Sequence, residues 1–284
     1  SNNSSENSFG GAISNYNSYM NISESTLNNN SARTNGGGLA SINAYLFIND
    51  SNFNDNTSIE YGGALYIGNN CPTVHLSDTE FRRNQAIIGG AIYENGVTNL
   101  ITERLLIANN NALTKGGGMY FTYYDPIFTN ITLANNTATY QGSGLYCEGS
   151  SDPVILNSII WGNLVSADKE EDAEIDFGTG TLNLSYTNLS GKIKSINQSN
   201  ESEIILGDGN IDADPLFVDP DSGDYHLSDL SPVISGGIDS LQIDSTWYVV
   251  PSTDIEGNPR PNPVGTLPDM GAYENENGIE GYNG

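Results

Sequence analysis

Positive charge is scarce in this chain. Its 284 residues carry 9 Lys and Arg against 35 Asp and Glu, a formal net charge of −26. A phosphate backbone is gripped by clustered Lys and Arg, so the charge argues against nucleic acid as a partner. It argues equally against an anionic membrane surface and is compatible with bound cations. Only two Cys and two His are present, too few for a disulfide scaffold or a zinc site. No run of about 18 apolar residues exists, so no membrane-spanning helix is expected in this segment. The N-terminus, SNNSSENSF, has neither a basic start nor an apolar core and does not read as a signal peptide. In their place stand 38 Asn and 32 Gly, which weaken helix interiors and argue against a helical bundle. The 16 Tyr and 8 Phe are too many for a typical disordered chain.

Acid and proline are unevenly spread. Residues 1–164 hold 12 acids, 5 bases and 3 of the 11 prolines; residues 165–284 hold 23 acids and 4 bases. The chain changes character near residue 165.

The first part repeats. Gly-Gly or Gly-Ser pairs begin at Gly10, Gly36, Gly62, Gly89, Gly116 and Gly142, spaced 26, 26, 27, 27 and 26 residues apart. Each is followed by a small residue and then an apolar one: Ile13, Leu39, Leu65, Ile92, Met119 and Leu145. A second column keeps the beat at Leu27, Phe53, Phe81, Ile107, Leu133 and Ile160. Three residues after each comes an asparagine: Asn30, Asn56, Asn84, Asn110, Asn136 and Asn163. Short apolar runs at this period, without helical spacing, read as a solenoid of strands. Coils that rise by roughly 4.8 Å would stack the asparagines into a ladder. The Gly pairs would allow positive φ or close approach at a corner. Leucine-rich repeats have a similar period, but their Leu-x-x-Leu-x-Leu signature is missing. No six-residue beat supports a hexapeptide helix. The fold class predicted is all-β, a right-handed parallel β-helix with about 26 residues per coil. Regular coils are expected over 1–165, irregular acidic coils over 166–235, and a Pro-rich closing segment over 236–284, in one continuous domain. Residues 1–9 look like the tail of an earlier coil, so a longer N-terminal stack is expected.

The repeat resembles secreted bacterial right-handed β-helix proteins, including the polymorphic-outer-membrane-protein type with its Gly-Gly-Ala-Ile columns. The C-terminal third reads NIDADPLFVDPDSGDYHLSDLSPVISGG, then DIEGNPRPNP, then PDMGAYE. This is similar to the choice-of-anchor Q type of β-helix protein, over residues 210–274. It departs at Ser235-Gly236-Gly237, where many relatives would have an Asp-Ala-Gly-like turn. The resemblance implies a secreted or surface-displayed bacterial protein. It also implies a sorting or anchoring signal after the GAYE segment, which the ten residues past Glu274 do not supply. The fold it implies is shared with pectate lyases, polygalacturonases and epimerases, and fold alone does not fix function.

Three groups of residues are candidate sites. If the apolar residue after each Gly pair points inward, the next points outward. Tyr66, Tyr93, Tyr120 and Tyr146 would then form an exposed ladder, either a platform for sugar rings or a packing stack between coils. Three residues before the Phe/Ile/Leu column lie Asp50, Asp78 and Arg104 on successive coils. They would serve acid–base chemistry, hold calcium against a uronate, or simply be turn residues. Asp208, Asp212, Asp214, Asp219, Asp221 and Asp224 offer calcium-binding oxygens or backbone caps. Cys71 and Cys147 fall about 14 Å apart along the axis, beyond the reach of a disulfide. His226 reads as structural. No polygalacturonase or epimerase motif is legible. The function expected is a non-catalytic extracellular module for glycan binding, adhesion or surface assembly, with no required cofactor. A calcium-dependent polysaccharide lyase and a structural subunit of a filament are the alternatives.

Overall fold

The structure, a computed structural model, describes residues 2–5, 9–68, 70–166 and 173–278. It is all-β, a parallel solenoid of about seven turns roughly 26 residues apart. The coil at 36–61 shows the plan, with strands at Leu39–Ile42, Tyr45–Asn49, Ser51–Asn54 and Thr57–Ser58. Each pairs in parallel with its counterparts one coil away. Ile13, Leu39, Leu65, Ile92, Met119 and Leu145 are in register, as the Gly-pair spacing requires.

Four left-handed residues turn this coil: Gly36, Asn43, Asp50 and Asp55, with φ between 47° and 67°. Each belongs to a column of left-handed residues. One is glycine throughout; the others are chiefly Asn and Asp, the non-glycine residues that tolerate this region best. Asn17, Asn43 and Asn70 form the second column. Glu24, Asp50, Asp78, Arg104, Asn130 and Asn157 form the third, and Asn29, Asp55, Arg83, Asn109 and Asn135 the fourth. Much of the asparagine content is therefore corner chemistry. The second glycine of each pair has a different role. A Cβ on Gly37, Gly63 or Gly90 would lie 2.1–2.2 Å from a glycine carbonyl oxygen of the next coil.

Inside, the apolar columns form one continuous core, with the Phe53 and Phe81 rings stacked 5.1 Å apart. The asparagine ladder runs beside it. Asn84 donates from its backbone N (2.8 Å) and its Nδ2 (2.9 Å) to Oδ1 of Asn110, and Asn84 Nδ2 also reaches the Phe53 carbonyl at 2.8 Å. Asn56, Asn110 and Asn136 repeat this pattern in full. The ladder extends past the six predicted members to Asn3 at one end. At the other end the buried Glu174 accepts from Asn163 N at 3.2 Å and from Nδ2 at 2.6 Å.

Coils continue beyond residue 165. Ile175 and Ile196 stack under Leu145, at intervals of 30 and 21 residues that break the beat. The last coil bond joins Asn188 to Ile211. From there the chain doubles back along the outside of the solenoid. Tyr225, Ala272 and Tyr273 pack on Leu106, Ala108 and Ala134. Leu227, Val233, Ile234 and Met270 pack on Ile159. Burying these aliphatic and aromatic side chains stabilises the return by about 1.5–3 kcal/mol per large residue. This external strap reaches as far back as Arg82, which donates to the Gly223 carbonyl.

Candidate functional site

The strap's family-like motifs fold into a buried polar knot. Arg260 Nε donates to Glu274 Oε2 at 2.7 Å, with both side chains fully buried. Glu274 also accepts from the amides of Asn262 and Asp269. Asp254 caps the amides of Glu256 and Asn258 and accepts the Glu274 amide. Asp269 joins Ser235 to Asn275. The Asp, Arg and Glu of DIEGNPRPNP and PDMGAYE are thus structural. His226 sits at the edge of this knot, its ring 4.1 Å from Tyr273 and paired with Asp224 and Glu256.

Burial and the neighbouring Glu274 charge push the Asp269 carboxyl up to about 7. Burial pushes Glu94, inside the solenoid, up to about 8, against the Val97 and Thr122 amides that it accepts. An acid raised in the folded state adds stability that is complete below the ordinary carboxylate range and lost as pH rises through the folded value. Melting temperature should therefore fall between pH 5 and pH 9, by roughly 5–10 °C for a loss on the order of 3 kcal/mol. Scanning calorimetry across that range tests this. A flat profile would show that neither group is held protonated.

The tyrosine column is stacked as the repeat implies. Ring centroids of Tyr66, Tyr93, Tyr120 and Tyr146 lie 4.9–5.5 Å apart with planes within 7° of parallel. It is not the exposed ladder that strand alternation predicts, since the four residues are only 4–9% exposed. Each ring covers its neighbour's face, while Ile42, Tyr61 and Ile88 pack against the stack. Gly68 leaves room for Tyr66, whose ring a Cβ there would meet at 2.6 Å. Lys115 sits 4.6 Å over Tyr146, and the Tyr120 hydroxyl donates to Glu148. Burial pushes the Tyr66 and Tyr93 phenols up.

The six C-terminal aspartates do not converge. Asp212 caps the Gly191 amide, Asp214 the Leu216 amide, Asp219 Ser222, and Asp224 His226. Asp208 bonds Tyr186 through its backbone carbonyl, and Asp221 lies in the exposed turn that follows Asp219. Among the described residues no three His, Cys, Asp or Glu side chains are placed to hold a metal ion. Cys71 and Cys147 are free and buried.

The third corner column borders a cleft. Asp78 and Arg104 meet in a two-pronged ion pair at 2.5 and 2.8 Å, and both are mostly buried. Asp50 stays apart and accepts from its neighbour Asn49 at 2.6 Å. Two residues that sequence reasoning passed over complete the cluster. Glu103 lies 3.3 Å from Arg104 and 3.2 Å from His75 Nε2. The His75 hydrogen bond and then the Arg104 charge hold the Glu103 carboxyl below its ordinary range. Ser77 and Glu103 are in register, next to the corner column, so strand alternation carried across coils was the signal that would have found Glu103. These side chains line an open cleft of about 400 Å³ with Tyr19, Asn21, Phe47 and Asn49. Tyr19 and Phe47 form its aromatic wall, with centroids 5.2 Å apart.

One coil further on the same corner is closed. Asn130 donates to the Asp269 and Gly271 carbonyls of the strap, and Asn157 exchanges hydrogen bonds with Ile238.

Residues 50–68, one strand-and-corner stretch from Asp50 through the Gly62-Gly63 pair, match the model of the Chlamydia polymorphic membrane protein repeat. The repeat match and the solenoid together fit a β-helix like that of polymorphic membrane proteins. No curated protein and no solved structure matches the chain. Among the described residues no helix is long and apolar enough to cross a membrane.

Proposed function

We propose that the protein is a surface-exposed, adhesin-like β-helix module of the bacterial outer surface. It is non-catalytic and binds glycans in the corner cleft. The observation that carries this reading is the cleft's composition: the Tyr19–Phe47 wall lines it together with the polar Asn49, Glu103 and Arg104. Sugars present an apolar ring face and a hydrogen-bonding edge, and an aromatic wall with polar groups in the same cleft suits both. The polymorphic membrane protein repeat at residues 50–68 supports the surface placement, as does the DMGAYE segment through its likeness to anchored proteins. The ion pairs support the non-catalytic part. Arg104 is engaged by Asp78 and Glu103, which leaves it no freedom to act as the base of a lyase. The tyrosine stack, being covered, serves the fold in this reading.

Retention of the protein on immobilised glycans tests the proposal. Tyr19→Ala and Phe47→Ala should each weaken retention at least tenfold, with the melting temperature changed by no more than a few degrees for Tyr19→Ala. Tyr93→Ala should lower stability and leave retention at permissive temperature intact. The opposite pattern would return binding to the stack.

A further inference from the structure

We propose that the cleft takes an uncharged glycan chain lying along the solenoid axis, about one sugar per coil, and rejects uronate and sulfated chains. This rests on the reading of the cleft as a glycan site and specifies its ligand.

The direction follows from register. Asn21, Phe47, His75 and Ile101 occupy one outward column on four successive coils. Ser23, Asn49, Ser77 and Glu103 occupy the next. Cleft-lining groups therefore recur at the coil rise, roughly 4.8 Å, close to the length of one pyranose unit in an extended chain. A chain along the axis meets an equivalent position at each sugar; a chain across it would leave the cleft after one.

The length follows from the closed end. The strap sits on the corner at Asn130 and Asn157 and closes that end, and the residues lining the cleft fall on the four coils of Tyr19, Phe47, His75 and Glu103. That is room for about three or four units at the coil rise.

The charge preference follows from pairing. The basic side chains lining the cleft, His75 and Arg104, both face carboxylates already: Arg104 faces Asp78 and Glu103, and His75 faces Glu103. Among the described residues no unpaired cation lines the cleft. A uronate or sulfate entering it would meet Asp78 and Glu103, in a chain of net charge −26. Like charges brought together at close range disfavour the wrong partner strongly. Sugar hydroxyls instead find the amides of Asn21 and Asn49 and the outer oxygens of the carboxylates, which accept more than one hydrogen bond.

Native electrophoresis through gels containing soluble polysaccharide tests this. The gels would hold β-glucan, mannan or xylan as neutral probes and polygalacturonate or a sulfated glycan as acidic ones, at low and high salt. The expected result is retardation by at least one neutral chain, unchanged by salt and lost in Tyr19→Ala, with none by the acidic chains. Oligosaccharides of that neutral chain should gain affinity up to about four units and then level off. Tyr19-dependent retardation by an acidic chain would overturn the charge preference and leave the glycan site standing. Affinity still rising well past four units would overturn the closed end. No retardation by any chain, or retardation that Tyr19→Ala and Asn49→Ala both leave unchanged, would overturn the cleft as a glycan site altogether.

Discussion

Gly90→Ala is expected to cost more than about 4 kcal/mol and to abolish the folded stack at moderate denaturant. The added Cβ would stand 2.1 Å from the Gly117 carbonyl oxygen and within 2.9 Å of the Asn111 backbone. All of these are main-chain atoms, of residues whose amides bond to neighbouring coils, so relief requires separating two coils rather than rotating a side chain. Gly257→Ala is the comparison. Nothing lies within 4 Å of its Cβ position, and only its φ of 84° opposes a side chain, a cost of about 1–2 kcal/mol. Urea midpoints of the two variants measure the difference, and equal midpoints would refute the close-approach argument. The chain contains its own exception. At Ser143, the position equivalent to Gly90, the next coil departs from the 26-residue beat. There the serine hydroxyl donates to the Ala173 carbonyl at 2.8 Å.

Arg260→Leu should release the strap while the coils stay folded. It leaves the Glu274 carboxylate buried without its partner, a loss of about 3–5 kcal/mol for a pair of this kind. It also removes the donor to the Gly271 carbonyl. Hydrogen exchange would show the effect by location. The amides of Ile255 and Gly271, bonded to Ala272 and Asn157, should exchange far faster. Those of Asn84 and Asn110 in the ladder should keep their protection. Arg260→Leu with Glu274→Leu should recover part of the loss, since no buried charge is then stranded. Exchange that accelerates evenly across strap and coils would mean that the knot supports the whole stack.

The regular coils were legible because three columns repeat together and each has one physical role: glycine for approach, apolar residues for core, asparagine for the ladder. Ile175 and Ile196 continue the same column, yet they were hidden, because the Gly pair is gone and the intervals become 30 and 21. The strap was hidden for another reason. Its motifs were visible, but their landing place was encoded elsewhere, in outward positions of the coils. Where the strap packs through apolar contact, those positions are Leu106, Ala108, Ala134 and Ile159; one coil earlier they are Glu80 and Arg82, which hydrogen-bond to it, and one coil before that Asn52 and Asn54. Alternation assigned the tyrosines to the outer face correctly, and their stacking hid them all the same: alternation gives the side of a sheet, not the accessibility of a side chain. Asp78 and Arg104 could be placed together from the column alone. His75 and Glu103 come from different strand positions and join them only once the register between coils is known.

The strap also decides how the molecule bears load. A bare stack of coils held by one strand ladder per face would open like a zipper, one coil at a time, if its C-terminal end were drawn along the axis. Here a pull on residue 275 reaches the coils through the strap. It falls together on the contacts at Arg82, Leu106, Ala134, Asn157 and Ile159. Those contacts lie side by side along the direction of force, so they are sheared at once instead of peeled in turn. A module that holds on to something outside the cell would meet tension in just this geometry.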